Sequence, residues 1–436
     1  MWPRIDLRRR GTTLSREVVA GATTFATMSY IVAVQPTVLS EAGMDFGAVL
    51  VATCVGSAIA TLLMAVLANY PIALAPAMGH NFYFVFGLCA AGIPWAVALG
   101  ANFLAGVLFL LLTLVGIRER IVDALPSSLQ HAIGAGIGLL VAFVGLQWGG
   151  IVQPHPSTLV TLGPVREGPV LLALAGIAFL FGLQALRVRG AVLWTMATVA
   201  SAGTLLGYFR FEGFLAPPPS LRPTFLALDV RGALDPRFLE PVFVFFLLAL
   251  FDTVGTLVGV ASRAGLLVDG RLPRARRALL ADSLGIVQGT LLGTSTITCY
   301  VESAAGVAEG GRTGVANVVT ALLFFSALFL YPVVQAVSRP VPVGGLSVYP
   351  VLAPPLVLVG AYMLASAARI DWNDAVEALP AFACVVTMPF TFSIADGIGA
   401  GILARVILSA LTRRTRELHP FLLLAAALFL VRFLSG

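Results

Sequence analysis

Two acidic residues lie deep inside long apolar stretches of the sequence. Asp252 is within VFVFFLLALFDTVGTLVGV, and Glu302 is within TITCYVESAAGV. An ionisable side chain at membrane depth is costly and marks a functional site by default, although both could instead be structural carboxylates paired inside a helix bundle. A third acid, Asp282, falls near the end of its apolar stretch, where we expect water to reach it. Asp252 and Glu302 are therefore the first candidates for binding a substrate.

The residues around Glu302 predict a short extended stretch that leads into a half-helix. TSTITCYV is rich in β-branched residues, which favour strands, whereas ESAAGVAEG is typical of a helix. Glu302 then falls in the first helical turn, where free N–H groups and the helix dipole favour a carboxylate. An earlier segment repeats this plan: IALAP is extended, Pro76 suits a helix start, and a helix follows from Met78. Two half-helix N-termini are thus expected to face each other near the membrane midplane.

The polarity of this predicted site suits a neutral, flat heterocycle such as a nucleobase. Free N–H groups of the two half-helices can hold a carbonyl oxygen, while Asp252 and Glu302 can accept hydrogen bonds from N–H groups. Each helix terminus contributes roughly +0.5 charge, which is less than the two formal negative charges. An anionic substrate is therefore disfavoured. A neutral substrate with a coupled cation, most simply a proton on Asp252 or Glu302, is favoured.

Further residues on the broken segments and the apolar stretch around Asp252 are predicted to contact the substrate. They are Asn81, His80, Phe82, Val301, Ser303 and Thr256. Asn81 could equally be an interhelical hydrogen bonder, and His80 could titrate near neutral pH or stay neutral. Phe82, Tyr83 or Phe25 could offer a stacking face, although aromatic residues in membrane helices more often only pack.

The composition indicates which kind of protein positions these groups. Of 436 residues, 58% are hydrophobic and only 11% are charged, whereas soluble domains carry about 25% charged residues. The net charge of +6 comes from arginines between apolar segments, so no nucleic-acid partner is predicted. The four cysteines lack CxxC spacing, and neither HExxH nor GxSxG occurs. We therefore expect an all-α polytopic membrane protein that is not an enzyme and has no metal or cofactor.

The apolar runs predict fourteen transmembrane segments, seven on each side of a polar stretch. These runs fall near 17–38, 47–69, 72–90, 95–116, 127–148, 167–186, 190–209, 240–262, 277–293, 294–309, 314–336, 348–367, 376–394 and 395–412. A last apolar run, 419–434, could lie in the interface or add a half-span. The predicted organisation is a cytoplasmic N-terminus (1–16), a first repeat (17–209), an extracytoplasmic loop (210–239), a second repeat (240–412), and a basic linker with the C-terminal apolar segment (413–436).

The two halves resemble one another in sequence. Sliding one half along the other pairs Val55-Gly56 with Leu284-Gly285, and the broken segments 3 and 10 also coincide. Because seven is odd, the repeats would enter the membrane in opposite orientations. Inverted repeats with broken helices in matching places indicate a transporter site, although chance similarity between apolar segments is the alternative.

The arginines indicate the orientation of the chain. They cluster before segment 1 and after even-numbered segments, including Arg118 and Arg120 after segment 4 and Arg274, Arg276 and Arg277 after segment 8. Cytoplasmic loops carry an excess of basic residues. We therefore predict a multi-pass protein of the cell membrane with a cytoplasmic N-terminus.

Four runs of the sequence are similar to the AzgA-like permeases of the nucleobase/cation symporter 2 (nucleobase–ascorbate transporter) superfamily. The runs are REVVAGATTFATMSYIVAVQP, ALAPAMGHN, LFDTVGTLVGVASRAGLL and GTSTITCYVESAAGVAEGGRTG. The resemblance covers nearly the whole chain. It implies fourteen segments in two inverted repeats, a core domain (segments 1–4 and 8–11) and a gate domain (5–7 and 12–14). It also implies proton-coupled uptake of purines by an elevator-like movement, often as a homodimer.

The same resemblance assigns roles to three residues. The family's acid of segment 8 falls on Asp252, its glutamate of segment 10 on Glu302, and its asparagine of segment 3 on Asn81. Where the family usually reads GMGLNAFF, this chain reads AMGHNFYF. The departures, at Ala77, His80, Phe82 and Tyr83, leave the preferred purine open.

Together these features predict a secondary active transporter that couples protons to purine nucleobases (hypoxanthine, guanine, adenine or xanthine). One alternative is an anion transporter of the same architecture, for sulfate or bicarbonate. A passive nucleobase channel is another alternative.

Overall fold

The secondary structure is mostly helical in the computed structural model of the chain. The described residues are 7, 10–116, 126–266 and 272–435. Arg118 and Arg120, predicted to lie on the cytoplasmic side, fall outside them. The helices of the first half are α1 (Leu14–Met28), α2 (Ile31–Ser40), α3 (Phe46–Leu67), α4 (Met78–Phe82), α5 (Trp95–Val115), α6 (Ser127–Trp148), α7 (Gly168–Ala185) and α8 (Ala191–Leu205).

The second half repeats this pattern of long and broken helices. Its helices are α9 (Val230–Ala233), α10 (Leu239–Arg263), α11 (Ala275–Leu292), α12 (Ser303–Ala308), α13 (Gly314–Ala327), α14 (Tyr331–Val337), α15 (Ala353–Leu364), α16 (Ala375–Thr391), α17 (Ile394–Leu411) and α18 (Pro420–Ser435). Short strands form three antiparallel pairs, which are β1 (Leu74–Pro76) with β4 (Ile297–Cys299), β2 (Val152–His155) with β3 (Leu159–Leu162), and β5 (Val341–Val343) with β6 (Leu346–Val348).

Local sequence explains where several helices begin. The side chain of Asp45 accepts a hydrogen bond from the Ala48 amide and caps α3, and Ser393 caps α17 in the same way through the Asp396 amide. Such caps satisfy amides that have no partner within the helix. The first predicted segment is interrupted: α1 ends at Met28, and a turn at Ser29 and Tyr30 separates it from α2.

The chain is a multi-pass membrane protein. Among the described residues, eight helical stretches are long and apolar enough to cross a membrane. Shorter apolar helices add to these, at Ala191–Leu205, Ala353–Arg369, Ala375–Thr391 and Pro420–Leu434. The helices lie where the apolar runs predicted them, while the number of fourteen spans stays a prediction.

The C-terminal apolar run forms α18, which runs back along α17. Near the start of α18, Glu417 accepts a hydrogen bond from Arg405 in the second half of α17 at 3.0 Å. Near its end, Arg432 pairs with Asp396 in the first turn of α17 at 2.8 Å. A helix of 16 residues is about 24 Å long, so α18 follows most of the length of α17.

The helices pack as a core and a gate. The core joins α1, α3, α5, α10, α11, α12 and α13, and the gate joins α6, α7, α15, α16 and α17, with α18 against α17. Small residues allow membrane helices to approach closely. In the gate, a Cβ atom built on Gly138 would lie 2.7 Å from the carbonyl oxygen of Gly360, so α6 and α15 meet through these two glycines.

Candidate functional site

A two-stranded antiparallel ladder joins the two broken segments inside the core. Strand β1 pairs with β4 so that Leu74 lies opposite Cys299 and Pro76 lies opposite Ile297. The Tyr300 amide donates to the Ala73 carbonyl at 2.9 Å and extends the ladder. The extended stretches predicted for segments 3 and 10 are thereby confirmed. Because the strands are antiparallel, the half-helices α4 and α12 leave the ladder from opposite ends, as the inverted repeat requires.

A cavity of about 240 Å³ lies between this ladder and the gate. Small-molecule pockets usually measure about 300–1,000 Å³, so this cavity suits a small ligand. From the core, it is lined by Tyr30, His80, Asp252, Thr256, Val301 and Glu302, among others. The facing wall belongs to α6 and α15, where Ile137, Val359 and Met363 are apolar. The gate side also contributes the polar residues Gln130, His131 and Arg369, so both walls can bond a ligand, while the two acids lie on the core wall.

Both predicted carboxylates line this cavity, and each accepts a hydrogen bond from a neutral hydroxyl. Asp252, on α10, accepts from the Thr298 hydroxyl at 2.8 Å. Glu302, which immediately precedes α12, accepts from the Tyr30 hydroxyl at 2.8 Å. Its side chain does not cap α12, so the predicted interaction with that helix end is limited to the dipole. Neither carboxylate is in an ion pair within the described residues, and both retain capacity to accept further hydrogen bonds.

His80 lines the same cavity and has one buried polar atom without a hydrogen-bond partner among the described residues. Its side chain is 1% exposed, and no described residue forms a hydrogen bond with its Nε2 atom. The ring stacks against Phe245 at a centroid distance of 6.4 Å. A buried polar atom without a partner is costly, so we expect Nε2 to gain a partner when a molecule binds in the cavity. Val301 and Thr256, two other predicted contacts, also line the cavity.

Asn81 does not line the cavity, contrary to the prediction of direct substrate contact. It is fully buried and hydrogen-bonds through its amide to Gln35 and through its carbonyl oxygen to the Ser295 hydroxyl. Gln35 also donates to Thr294 at 3.0 Å. The amide therefore ties the half-helix α4 to α2 and to the chain before β4, which is the interhelical role left open by the sequence.

Phe82 and Ser303 also lie outside the cavity lining. Phe82 is 1% exposed and packs on Phe86, with ring centroids 5.8 Å apart. The Ser303 hydroxyl accepts a hydrogen bond from the Ala73 amide at 3.0 Å and joins α12 to the approach to β1. Tyr83 points away as well, because its ring packs edge-on against Phe245 at 5.0 Å. These side chains support the broken segments rather than face a ligand.

The cavity has polar residues that the sequence analysis missed. Tyr30 and Tyr300 line it beside the two carboxylates, and Thr298 bonds to Asp252 from behind the lining. The Tyr300 hydroxyl donates to the Pro76 carbonyl at 2.6 Å. A polar residue beside a predicted buried acid, as Tyr300 is two positions before Glu302, could have signalled this role. Tyr30 carried no such signal, because it lies far from Glu302 in the sequence.

The expectation that water reaches Asp282 is wrong. Asp282 is 0% exposed, and its oxygens accept from the Thr253 hydroxyl at 2.7 Å and the Cys299 amide at 3.1 Å. It therefore braces α10 and β4.

Among the described residues, no three His, Cys, Asp or Glu side chains are grouped as a metal site would require.

Comparison with known proteins gives consistent matches along the chain. Residues 15–399 match the profile of the Permease family. A putative permease of Methanocaldococcus jannaschii is 48% identical over 99% of this chain and 98% of its own length. The guanine/hypoxanthine permease PbuO of Bacillus subtilis is 39% identical over 98% of each chain. The adenine permease AdeP of Escherichia coli is also 39% identical, over 98% of this chain and 94% of its own.

Solved structures share the fold at low sequence identity. The transmembrane domain of the cyanobacterial bicarbonate transporter BicA superposes with a TM-score of 0.63 and 17% identity, over 88% of this chain and 97% of that domain. The anion transporter SLC26A9 gives a TM-score of 0.63 and 11% identity, over 91% of this chain and 68% of that one. At this identity, the similarity concerns the fold alone.

Proposed function

This chain belongs to the Permease family, and we propose that it carries purine nucleobases across the cell membrane as a proton-coupled secondary transporter. The relatives at 39% identity are permeases for guanine and hypoxanthine or for adenine, and they align over nearly their whole length. The candidate site supports the same class of substrate, because a small cavity with hydrogen-bond acceptors on one wall suits a flat base that carries N–H groups.

The observation that carries this proposal is the pair of carboxylates, Asp252 and Glu302, on one wall of the cavity. Each is bonded to a neutral hydroxyl rather than to an arginine, so its negative charge is available to a ligand. In our proposal Glu302 accepts hydrogen bonds from the N–H groups of the base. His80, Val301 and Thr256 provide the other contacts. Asn81 acts indirectly, by positioning α4. Asp252 carries the coupled proton, although Glu302 shares the cavity and the two acids could titrate as a pair.

The same pair argues against an anion as the substrate. The two carboxylates outnumber the one arginine of the lining, Arg369, so the cavity carries a net negative charge that repels sulfate or bicarbonate. The likeness to a bicarbonate transporter concerns the fold at 17% identity and carries no information about the ligand. A passive nucleobase channel is distinguished from the proposed symporter by accumulation of substrate against a gradient.

We further propose that transport proceeds by an elevator-type movement of the core along the gate. The cavity lies between these two packing units, so a displacement of the core would carry a bound molecule with it. In this proposal residues 17–209 and 240–412 are the inverted repeats, residues 1–16 are cytoplasmic, and residues 210–239 are outside. Residues 413–436 add the linker and α18, and the protein assembles as a homodimer.

Uptake by proteoliposomes tests the proposed function. Radiolabelled hypoxanthine is supplied outside, with and without an imposed inward proton gradient, and unlabelled purines, pyrimidines, ascorbate or sulfate compete. We expect accumulation above the external concentration only with the gradient, and competition by purines alone. Liposomes without protein and gradient-bearing liposomes treated with a protonophore are the controls. Competition by sulfate, or uptake that stops at equal concentrations despite the gradient, would contradict the proposal.

A further inference from the structure

A second, larger cavity lies among the ends of several core segments. Its volume is about 600 Å³, and its lining includes Arg10, Arg263, Arg274, Arg312, Tyr70 and Leu266. The four arginines come from the chain before α1, the end of α10, the start of α11 and the link between α12 and α13. We call this feature the basic cavity. Among the described lining residues there is no carboxylate.

Within the part of the chain that the structure describes, no acid forms an ion pair with the four arginines of the basic cavity. Arg312 donates through Nη1 to the backbone carbonyls of Val307 and Gly311, both at 2.7 Å. Two described acids near Arg312, Glu17 and Glu309, have other partners. Glu17 accepts from the amides of Arg312 and Ala316 at the start of α13, and Glu309 pairs with Arg189 at 2.7 Å.

Arg274 is held in place and is crowded by like charges. Its guanidinium lies 4.6 Å from the centroid of the Tyr70 ring, and its amide donates to the Tyr70 hydroxyl at 3.1 Å. Burial lowers the pKa of the Arg274 guanidinium below its ordinary value, and the neighbouring positive charges of Arg10 and Arg277 lower it further. Convergent guanidinium groups that repel one another favour an anion between them.

Membrane orientation alone does not explain this arrangement. Arginines that orient a membrane protein need only lie at the correct ends of its segments, whereas these four line one concave space. A guanidinium offers paired N–H donors that match the oxygens of a phosphate group. We propose that the basic cavity binds a phosphate-bearing anion through Arg10, Arg263, Arg274 and Arg312. Its volume leaves room for an ester of phosphate, either a phospholipid headgroup or a soluble nucleoside phosphate. This proposal does not depend on the substrate of the central cavity.

Thermal unfolding of the purified full-length protein in uncharged detergent tests the proposal. The protein is titrated with inorganic phosphate and with AMP, against chloride at equal ionic strength. In parallel, it is placed in phosphatidylcholine nanodiscs with or without phosphatidylglycerol. A ligand that binds only the folded state raises Tm with its concentration. We expect saturable stabilisation of the wild type in at least one arm.

The variant Arg263→Gln/Arg274→Gln removes two guanidinium groups from the basic cavity. Its apparent affinity for the anion that stabilises the wild type should be weaker by roughly tenfold or more, because each charged hydrogen bond contributes substantially. The matched control, Arg413→Gln/Arg416→Gln, removes the same charge from exposed arginines outside the basic cavity and should respond as the wild type does. If the double variant does not fold, the single variant Arg263→Gln gives the same comparison, because its side chain is exposed at the end of α10.

The two arms also identify the source of the phosphate group. Stabilisation by phosphate or AMP in detergent supports a soluble ligand, and stabilisation only by phosphatidylglycerol supports a lipid headgroup. The proposal is overturned if neither arm stabilises the wild type saturably, or if the wild type and the Arg263→Gln/Arg274→Gln variant respond equally. Hypoxanthine binding to the same samples reports on the central cavity separately, so failure of one site does not imply failure of the other.

Discussion

Replacing Glu302 by glutamine removes one negative charge from the central cavity and keeps the shape of the side chain. The amide oxygen can still accept the hydrogen bond of the Tyr30 hydroxyl, which Glu302 accepts at 2.8 Å, so we expect the fold to persist. A hydrogen bond to a charged group contributes about 1.5–3 kcal/mol and a neutral one about 0.5–1.5 kcal/mol. If Glu302 accepts one or two N–H groups of a base, the substitution should lose about 1–3 kcal/mol of binding free energy. This loss corresponds to a Kd that is weaker by roughly 5- to 150-fold.

Calorimetry or scintillation-proximity binding with purified protein measures this loss, and Tm confirms that the variant is folded. The matched control is Glu309→Gln, the same chemical change on the same stretch of chain. Glu309 pairs with the exposed Arg189 and does not line the central cavity, and such surface pairs contribute about 0–1 kcal/mol. We expect wild-type affinity for that control. Wild-type affinity of a folded Glu302→Gln protein would show that Glu302 does not contact the base.

Three further variants separate proton coupling, selectivity and domain contact. Asp252→Asn should keep purine binding but lose uptake against a gradient, which proteoliposomes measure at several pH gradients. If uptake by the variant depends on pH as in the wild type, the coupled proton is carried elsewhere. His80→Leu removes the unpartnered Nε2 atom and should change the ratio of the hypoxanthine and adenine Kd values by roughly fivefold, about 1 kcal/mol; an unchanged ratio in competition binding would contradict this role. Arg432→Gln breaks the contacts of α18 with Glu240 of the core and Asp396 of the gate. It should lower Tm by about 1 °C, as expected for about 1 kcal/mol from partly exposed pairs in a chain of this length, and it should speed exchange uptake. Equal Tm and equal rate would mean that this link does not join the domains.

Local sequence was sufficient to locate the helices and the broken segments. The apolar run at 127–148 coincides with α6, because its length and flanking residues are local properties. The IALAP run and the β-branched residues before Glu302 likewise predicted the strands β1 and β4, since both act through the backbone of their own segment. The positions of Asp252 and Glu302 within apolar runs were enough to predict a shared site, and both acids line one cavity.

The direction of side chains on the half-helices could not be predicted. The helix α4 has five residues, and its rotation is set by the pairing of β1 with β4 rather than by its own pattern. That pairing turns Asn81 toward Gln35 and leaves His80 at the cavity. Tyr30 reaches Glu302 because the first segment breaks at Ser29, and neither the break nor the distant contact has a local signal.

The partners and the positions of the three buried acids suggest different roles for Asp252 and Glu302 on one side and Asp282 on the other. A hydroxyl group both donates and accepts hydrogen bonds. The Tyr30 and Thr298 hydroxyls can therefore donate to Glu302 and Asp252 when these are ionised, and accept from them when they are protonated. A backbone amide can only donate, so the Cys299 amide requires an acceptor oxygen on Asp282 at all times. Exchange at either cavity acid, or at the Asp282 oxygen that faces the Thr253 hydroxyl, keeps the hydrogen bond to that hydroxyl, whereas exchange at the Asp282 oxygen that faces the Cys299 amide would lose one. Position separates the acids further, because Asp252 and Glu302 line the cavity, whereas Asp282 is 0% exposed and does not line it. We therefore propose that the coupled proton is carried at the cavity and that Asp282 braces β4.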